Sequence, residues 1–288
     1  MVAYDYELTP LCFTAEEPGS TVKLTKVEQA PDVNLQTSTD GVSWTPYTVE
    51  DVITLANVDD KVYFKAVGSN EKMATDESNY NKFEITGRIA ASGNVNSLLE
   101  EDEETARTMR IEGKDYCYSY MFTDCSYLTK APALPATTLA YYCYSHMFSN
   151  CSSLTQAPAL PATTLADSCY NYMFLNCSSL TQAPALPATT LAGSCYSGMF
   201  SDCYNLTKAP TLPAKELANN CYGFMFINCS SLSMIKVGFA NWYPTDATYM
   251  WLAATAASGT FECPQKLIDG TTSRDESTVP ANWSMVAA

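Results

Sequence analysis

The stretch APALPATTLAYYCYSHMFSNCSSLTQ occupies residues 131–156, and APALPATTLADSCYNYMFLNCSSLTQ follows it directly at residues 157–182. Two such near-copies laid end to end are the signature of a repeat architecture, in which one unit cannot bury its own apolar face and stacks on its neighbours to do so. Aligned on the leading cysteine, the unit reads C-Y-x-x-M-F-x-(N/D)-C-x-x-L-(T/S)-x-A-P-x-L-P-A-x-x-L-A-x-x, 26 residues long, with copies starting at Cys117, Cys143, Cys169, Cys195 and Cys221. The last copy keeps CYGFMFINCSSL and then departs from the pattern, as a terminal repeat whose far side has no partner is free to do.

Read as a helix advancing about 100° per residue, the segment from Leu139 to Cys151 separates into two faces. Leu139, Ala140, Cys143, Tyr144, Met147, Phe148 and Cys151 fall on an apolar half. Tyr141, Tyr142, Ser145, His146 and Ser149 fall on the other. Pro158 and Pro161 prevent the helix from continuing. SLTQAPALP therefore reads as a short extended stretch and a corner, with Leu154, Ala157 and Leu160 turned inward. Each unit becomes strand, corner, helix and return.

The letters that repeat are the inward ones and the corner prolines; the letters that change lie on the outward face. Tyr120, His146, Tyr172, Gly198 and Phe224 share one slot, and Tyr141 and Tyr142 precede Cys143 where Asp167 and Ser168 precede Cys169. Aromatic side chains offer large contact area at low entropic cost. The candidate binding residues on this outward face are Tyr120, Tyr141, Tyr142, His146, Tyr172 and Phe224, weighed against plain solvent-facing surface. A second candidate face is the strand column Lys130, Gln156, Gln182 and Lys208.

The chain has 288 residues, 47% of them hydrophobic, and a formal net charge of −15. That leaves ample material for a core and no basic patch for nucleic acid. No stretch approaches the roughly 18 apolar residues of a membrane span, so no membrane insertion is expected. MVAYDYELTP has neither a basic nor an apolar signal region, so no signal peptide is read in this chain. Of the 12 cysteines, ten fall in two columns spaced by the repeat length, eight residues apart within a unit, with no CxxC, and there is a single histidine. Zinc sites use tighter pairs and more histidine. A ladder of small buried side chains competes with disulfides or metal.

Residues 1–98 read differently. STVKLTKV, DVNLQTS, DVITLANV, KVYFKAV and KFEITGRI alternate apolar and polar residues between turn residues such as Asp40-Gly41, the pattern of an antiparallel β-sandwich of immunoglobulin-like type. Residues 99–116, opening on the acidic LLEEDEET, read as a solvated linker and N-terminal cap; 117–240 as the solenoid; 241–288 as a closing cap whose Trp242, Trp251 and Trp283 cover the open end. Asp59-Asp60 reads as a turn, with calcium as the alternative.

CSSLTQAPALPATTLADSCYNYMFLNCSSL resembles the leucine-rich repeats of BspA-like surface proteins of Bacteroidetes and of phages that infect those bacteria, over roughly Cys117 to Leu232. It differs in carrying Met-Phe where Ala-Phe is common in that class. The resemblance implies a β-rich two-domain chain: a sandwich module followed by a strand-corner-helix solenoid of about five repeats. It also implies a non-enzymatic role, binding a protein or glycan on a bacterial surface, with an extracellular or virion location and no cofactor. The alternatives are a virion structural, decoration or tail-associated receptor-binding protein, whose partners are neighbouring virion proteins, and a carbohydrate-active enzyme. The last finds little in the sequence. No phosphate-cradling glycine loop is present, and His146 lies in a slot otherwise filled by Tyr, Gly and Phe, so no catalytic residue is assigned.

Overall fold

Alternation does what it predicts in the first part of the chain. In β2 (Ser20–Lys26), Val22 and Leu24 are buried while Thr21, Lys23 and Thr25 point outward. In β6 (Lys61–Ala66), Val62, Phe64 and Ala66 are buried. These features belong to a computed structural model, which describes residues 9–288; the signal-peptide reading of the first residues lies outside the described residues. The remaining strands here are β1 (Leu11–Ala15), β3 (Leu35–Ser38), β4 (Thr45–Tyr47), β5 (Ile53–Leu55), β7 (Asn81–Thr86) and β8 (Ile89–Ser92).

They form two sheets. One is ordered β4-β3-β6-β1-β8 and continues into β9 (Leu128–Lys130); the other is ordered β5-β2-β7. Pairing is antiparallel throughout except between β8 and β9, which run parallel. Rings from the two sheets meet in the interior: Phe83 of β7 lies 4.8 Å from Phe13 and 5.3 Å from Phe64.

The self-contained sandwich expected for residues 1–98 is not what these sheets make. The larger sheet runs on into the first repeat, and one buried core extends from Leu11 to Trp283. The acidic stretch after Leu98 packs rather than running free in solvent. Leu98 and Leu99 are buried. Glu101 accepts hydrogen bonds from the Gly68 N–H and the Gln36 amide. Asp102 caps the short helix α1 (Glu103–Thr108).

From Tyr116 onward the chain is a β-solenoid, and here the helical reading is corrected. The inward set is as expected: Cys143, Tyr144, Met147, Phe148 and Cys151 are all buried. The backbone that presents them is not a helix. Tyr116, Tyr120 and Asp124 have φ of 61°, 61° and 64°, and the same slots in later copies repeat this: Tyr142, His146 and Asn150; Ser168, Tyr172 and Asn176. Every fourth residue is left-handed, so the period is four rather than 3.6.

The hydrogen bonds account for the difference. The N–H groups of Ser119, Met121, Thr123 and Cys125 bond back to the carbonyls of Tyr116, Tyr118, Tyr120 and Phe122. Those of Tyr118, Tyr120, Phe122 and Asp124 instead cross to the carbonyls of Cys143, Ser145, Met147 and Ser149 in the next coil, at 2.8–3.0 Å. A helix spends every N–H internally; this ribbon of turns directs alternate ones to its neighbour. Buried backbone groups must be paired, and in a stack of coils the neighbour is the available partner. The strand-corner-helix unit is thus replaced by a turn ribbon, a corner and a short extended stretch. Successive extended stretches form parallel bridges, Lys130 to Gln156 and Gln182 to Lys208.

Side chains stack in register with the coils. Phe83, Phe122, Phe148, Phe174, Phe200 and Phe226 form one column with centroids 5.3–5.7 Å apart. Tyr118, Tyr144, Tyr170, Tyr196 and Tyr222 form another, 5.7–6.0 Å apart. At the far end, β10 (Thr211–Leu212), β11 (Met234–Val237), β12 (Gly259–Cys263) and β13 (Trp283–Ala287) make a parallel sheet, with α2 (Gln265–Gly270) between the last two strands. Trp251 and Trp283 are buried, and Trp242 packs partly against the same core.

Candidate functional site

Left-handed backbone decides what the outer surface of the ribbon carries. Residues at these slots project away from the core in three parallel columns. Tyr116, Tyr142, Ser168, Ser194 and Asn220 make the first; Tyr120, His146, Tyr172, Gly198 and Phe224 the second; Asp124, Asn150, Asn176, Asp202 and Asn228 the third. Asn and Asp tolerate positive φ better than other side chains. That accounts for the third column, the only outward slot that is uniform among the copies. Its side chains also bond along the stack: Asn150 to Asp124 at 2.9 Å, Asn176 to Asn150 at 3.1 Å, and Asn228 to Asp202 at 2.7 Å.

The first two columns gather aromatic rings over the early coils. Tyr80, from the loop before β7, stacks on Tyr120 at 4.7 Å; Tyr120 on His146 at 4.7 Å; His146 on Tyr172 at 5.3 Å. Beside them Tyr116 stacks on Tyr142 at 5.0 Å, and Tyr141 meets both edge-on. Tyr141 is exposed, and the other rings of this ridge are half-buried.

Electrostatics on the ridge run one way. Burial pushes Tyr116 and Tyr120 up to about 12, with the nearby Glu77 carboxylate adding to the rise at both. Burial also holds the His146 imidazole down to about 4, so it is neutral at physiological pH. Its Nδ1 is hydrogen-bonded to Ser145 Oγ at 2.9 Å. No carboxylate orients it among the described residues, so the relay that makes a histidine a strong base toward a hydroxyl is missing.

Of the outward-face residues named from sequence, Tyr120, Tyr141, Tyr142, His146 and Tyr172 come together in this ridge. Phe224 does not: Gly198 interrupts the column, and Phe224 packs edge-on against Tyr249 at 5.2 Å. The strand-face residues Lys130, Gln156, Gln182 and Lys208 are all exposed and form a separate column. Two ridge members were missed. Tyr116 precedes Cys117 as Tyr142 precedes Cys143, so the repeat register contained it. Tyr80 lies outside the repeats and carries no comparable signal.

The thiols play no part in this surface. All twelve cysteines are free and buried. Cys125, Cys151, Cys177, Cys203 and Cys229 donate to the carbonyls of Phe83, Phe122, Phe148, Phe174 and Phe200 at 3.0–3.2 Å. Burial raises the pKa of every ladder thiol, which removes the thiolate needed for reactivity or metal binding. Among the described residues no group of three or more His, Cys, Asp or Glu side chains is placed to hold a metal ion, and no helix is long and apolar enough to cross a membrane.

Asp40 and Gly41 lie in the connection between β3 and β4. Asp40 Oδ1 accepts from the N–H groups of Val42 and Ser43, and these bonds hold its carboxyl well below the usual range. Asp59 sits in a turn at φ 68°. A cavity of about 450 Å³ opens among β10, β11 and the ends of β12 and β13, lined by Pro213, Lys215, Lys236, Val237 and Pro264; Lys236 is already paired with Glu262. No protein-family model, no curated protein and no solved structure matches this chain.

Proposed function

We propose that this chain is a non-enzymatic binding protein that presents the outer face of its turn ribbon to a protein or glycan on a bacterial surface, acting outside the cell or on a virion. The observation that carries the reading is the contrast between columns. The inward columns repeat one residue type coil after coil, while two outward columns change on an unchanged backbone and gather aromatic rings over the first three copies. A rigid scaffold with locally varied, aromatic-rich surface suits recognition, because little freedom is left to lose on binding. We read the units as BspA-like repeats with an altered ribbon in place of the helix, and residues 1–98 as a sandwich-type module recruited as their cap.

The test is adhesion of the labelled protein to whole bacterial cells and to arrayed bacterial glycans. Binding that falls at least tenfold in the Tyr141→Ala/Tyr142→Ala double variant, with its circular dichroism unchanged, supports the proposal. Binding that ignores this change, or none to any surface, counts against it.

A second reading, a virion structural or decoration protein, is favoured by the single continuous core, which makes the chain a stiff spacer. Reconstitution with neighbouring virion proteins in which the ridge contacts only those proteins would distinguish it.

A further inference from the structure

The way the rings of the ridge are packed discriminates between classes of partner. Tyr120 has Tyr80 on one face and His146 on the other, and His146 is held between Tyr120 and Tyr172, with interplanar angles of 9–25°. The far side of Tyr172 lies against Gly198, where an added Cβ would come within 2.2 Å of the ring. The ring faces of these three residues are therefore occupied, and solvent meets their edges and polar tips. A sugar docks its C–H surface on an open, electron-rich aromatic face, and this row offers none.

What the surface does offer is a different set of groups. The first two columns consist of Tyr, His, Ser, Asn, Gly and Phe, the composition that serves protein recognition elsewhere: rigid tyrosines for area, small polar residues for adaptable hydrogen bonds. The three outward columns contain no lysine or arginine. Lys82, which reaches the third column, is engaged by Asp124 at 3.2 Å. Glu77 acts on both Tyr116 and Tyr120, and Asp167 acts on Tyr141.

We infer that the ridge formed by Tyr80, Tyr116, Tyr120, Tyr141, Tyr142 and His146 binds a protein segment bearing lysine or arginine, whose cationic group is received by Glu77 and the neighbouring phenol oxygens. The inference rests on the binding function proposed above and narrows its partner from protein or glycan to protein. Charge-assisted bonds to a carboxylate give such a contact its orientation, and the acidic rim steers a basic partner toward it.

Three heptapeptides with the same Gly-Tyr-Gly centre, flanked by arginine, glutamate or serine, serve as probes, with cellohexaose and chitohexaose as glycan probes. All are titrated calorimetrically at about 0.15 M salt, where long-range attraction is screened. The arginine peptide is expected to bind at least tenfold more tightly than the glutamate peptide. Glu77→Gln should weaken it several-fold, whereas Glu216→Gln, an equal change of net charge at a distant exposed site, should leave it unaltered. Tyr142→Ala should abolish binding, and Tyr142→Phe should retain most of it. Equal effects of the two glutamate variants overturn the inference, as does absence of peptide binding. Oligosaccharide binding that depends on Tyr142 overturns it too, but leaves the broader binding function standing.

Discussion

Phe83 stacks on Phe122 with centroids 5.5 Å apart and planes 16° from parallel, nearly the relation Phe122 has to Phe148. The imitation extends to the backbone. The Phe83 N–H donates to the Met121 carbonyl, and the Phe83 carbonyl accepts from Cys125 Sγ, as Phe122 does toward Met147 and Cys151. A residue of β7 thus occupies the place of the missing preceding coil. Phe83→Ala should cost about 3–5 kcal/mol, the range for deleting a buried phenylalanine. Hydrogen exchange should show the first coil losing protection before later ones, and uniform loss across all coils would contradict the capping role.

Asn176 stands at φ 56° with its amide bonded to Asn150. Asn176→Ala loses both the side chain suited to that backbone and the ladder bond, and should cost about 1–2 kcal/mol. Asn176→Gly should cost less than Asn176→Ala, because glycine adopts positive φ freely. The reverse order in denaturant melts would refute the backbone explanation.

The ring of Tyr172 covers Gly198, so Gly198→Ala should displace it. Phe224 occupies the same slot at φ 56°, which shows that the slot accepts a side chain. The cost of Gly198→Ala, about 1 kcal/mol for lost packing, should shrink in a Tyr172→Ala background. A double-mutant cycle with no coupling would mean that the ring is not the obstacle.

The ladder thiols should be silent toward thiol reagents in the native protein and react only as fast as the chain opens. Alkali gives the matching thermodynamic test. Folding raises these pKa values above the ordinary 9.0, so below that pH both states keep their protons. As pH rises above about 9, the unfolded chain releases protons that the folded chain retains, and stability falls by up to about 1.4 kcal/mol per unit for each thiol. Steep unfolding above about pH 9 is expected, and a denaturation midpoint unchanged between about pH 7.5 and 10 would exclude thiol burial as described.

His146 acts at the other end of the pH scale. Its folded pKa of about 4 lies below the ordinary 6.5, so between these values the unfolded state binds the extra proton. Its contribution is fully present above about pH 6.5 and is lost as pH falls toward 4, by at most about 1.4 kcal/mol per unit. His146→Phe should flatten that part of the stability profile. An identical acid limb in wild type and variant would show that the imidazole is accessible in the fold.

The repeat, its length and its inward letters were legible in the chain itself, because burying one side chain per coil in register demands the same residue at the same slot. Cys143, Tyr144, Met147 and Phe148 could be placed inside without knowing the backbone. The conformation carrying them could not: an apolar half-face about 180° wide fits period four and period 3.6 equally well over three turns. Only the Asn or Asp before each second cysteine hinted at left-handed residues. Which hydrogen bonds stay within a coil and which cross to the next depends on the neighbour being present. The placing of Tyr80 over Tyr120, and of Phe83 where a preceding coil would stand, likewise depends on β7 docking against the first repeat. Such contacts between segments distant in sequence leave no local periodicity, so only the tertiary structure decides them.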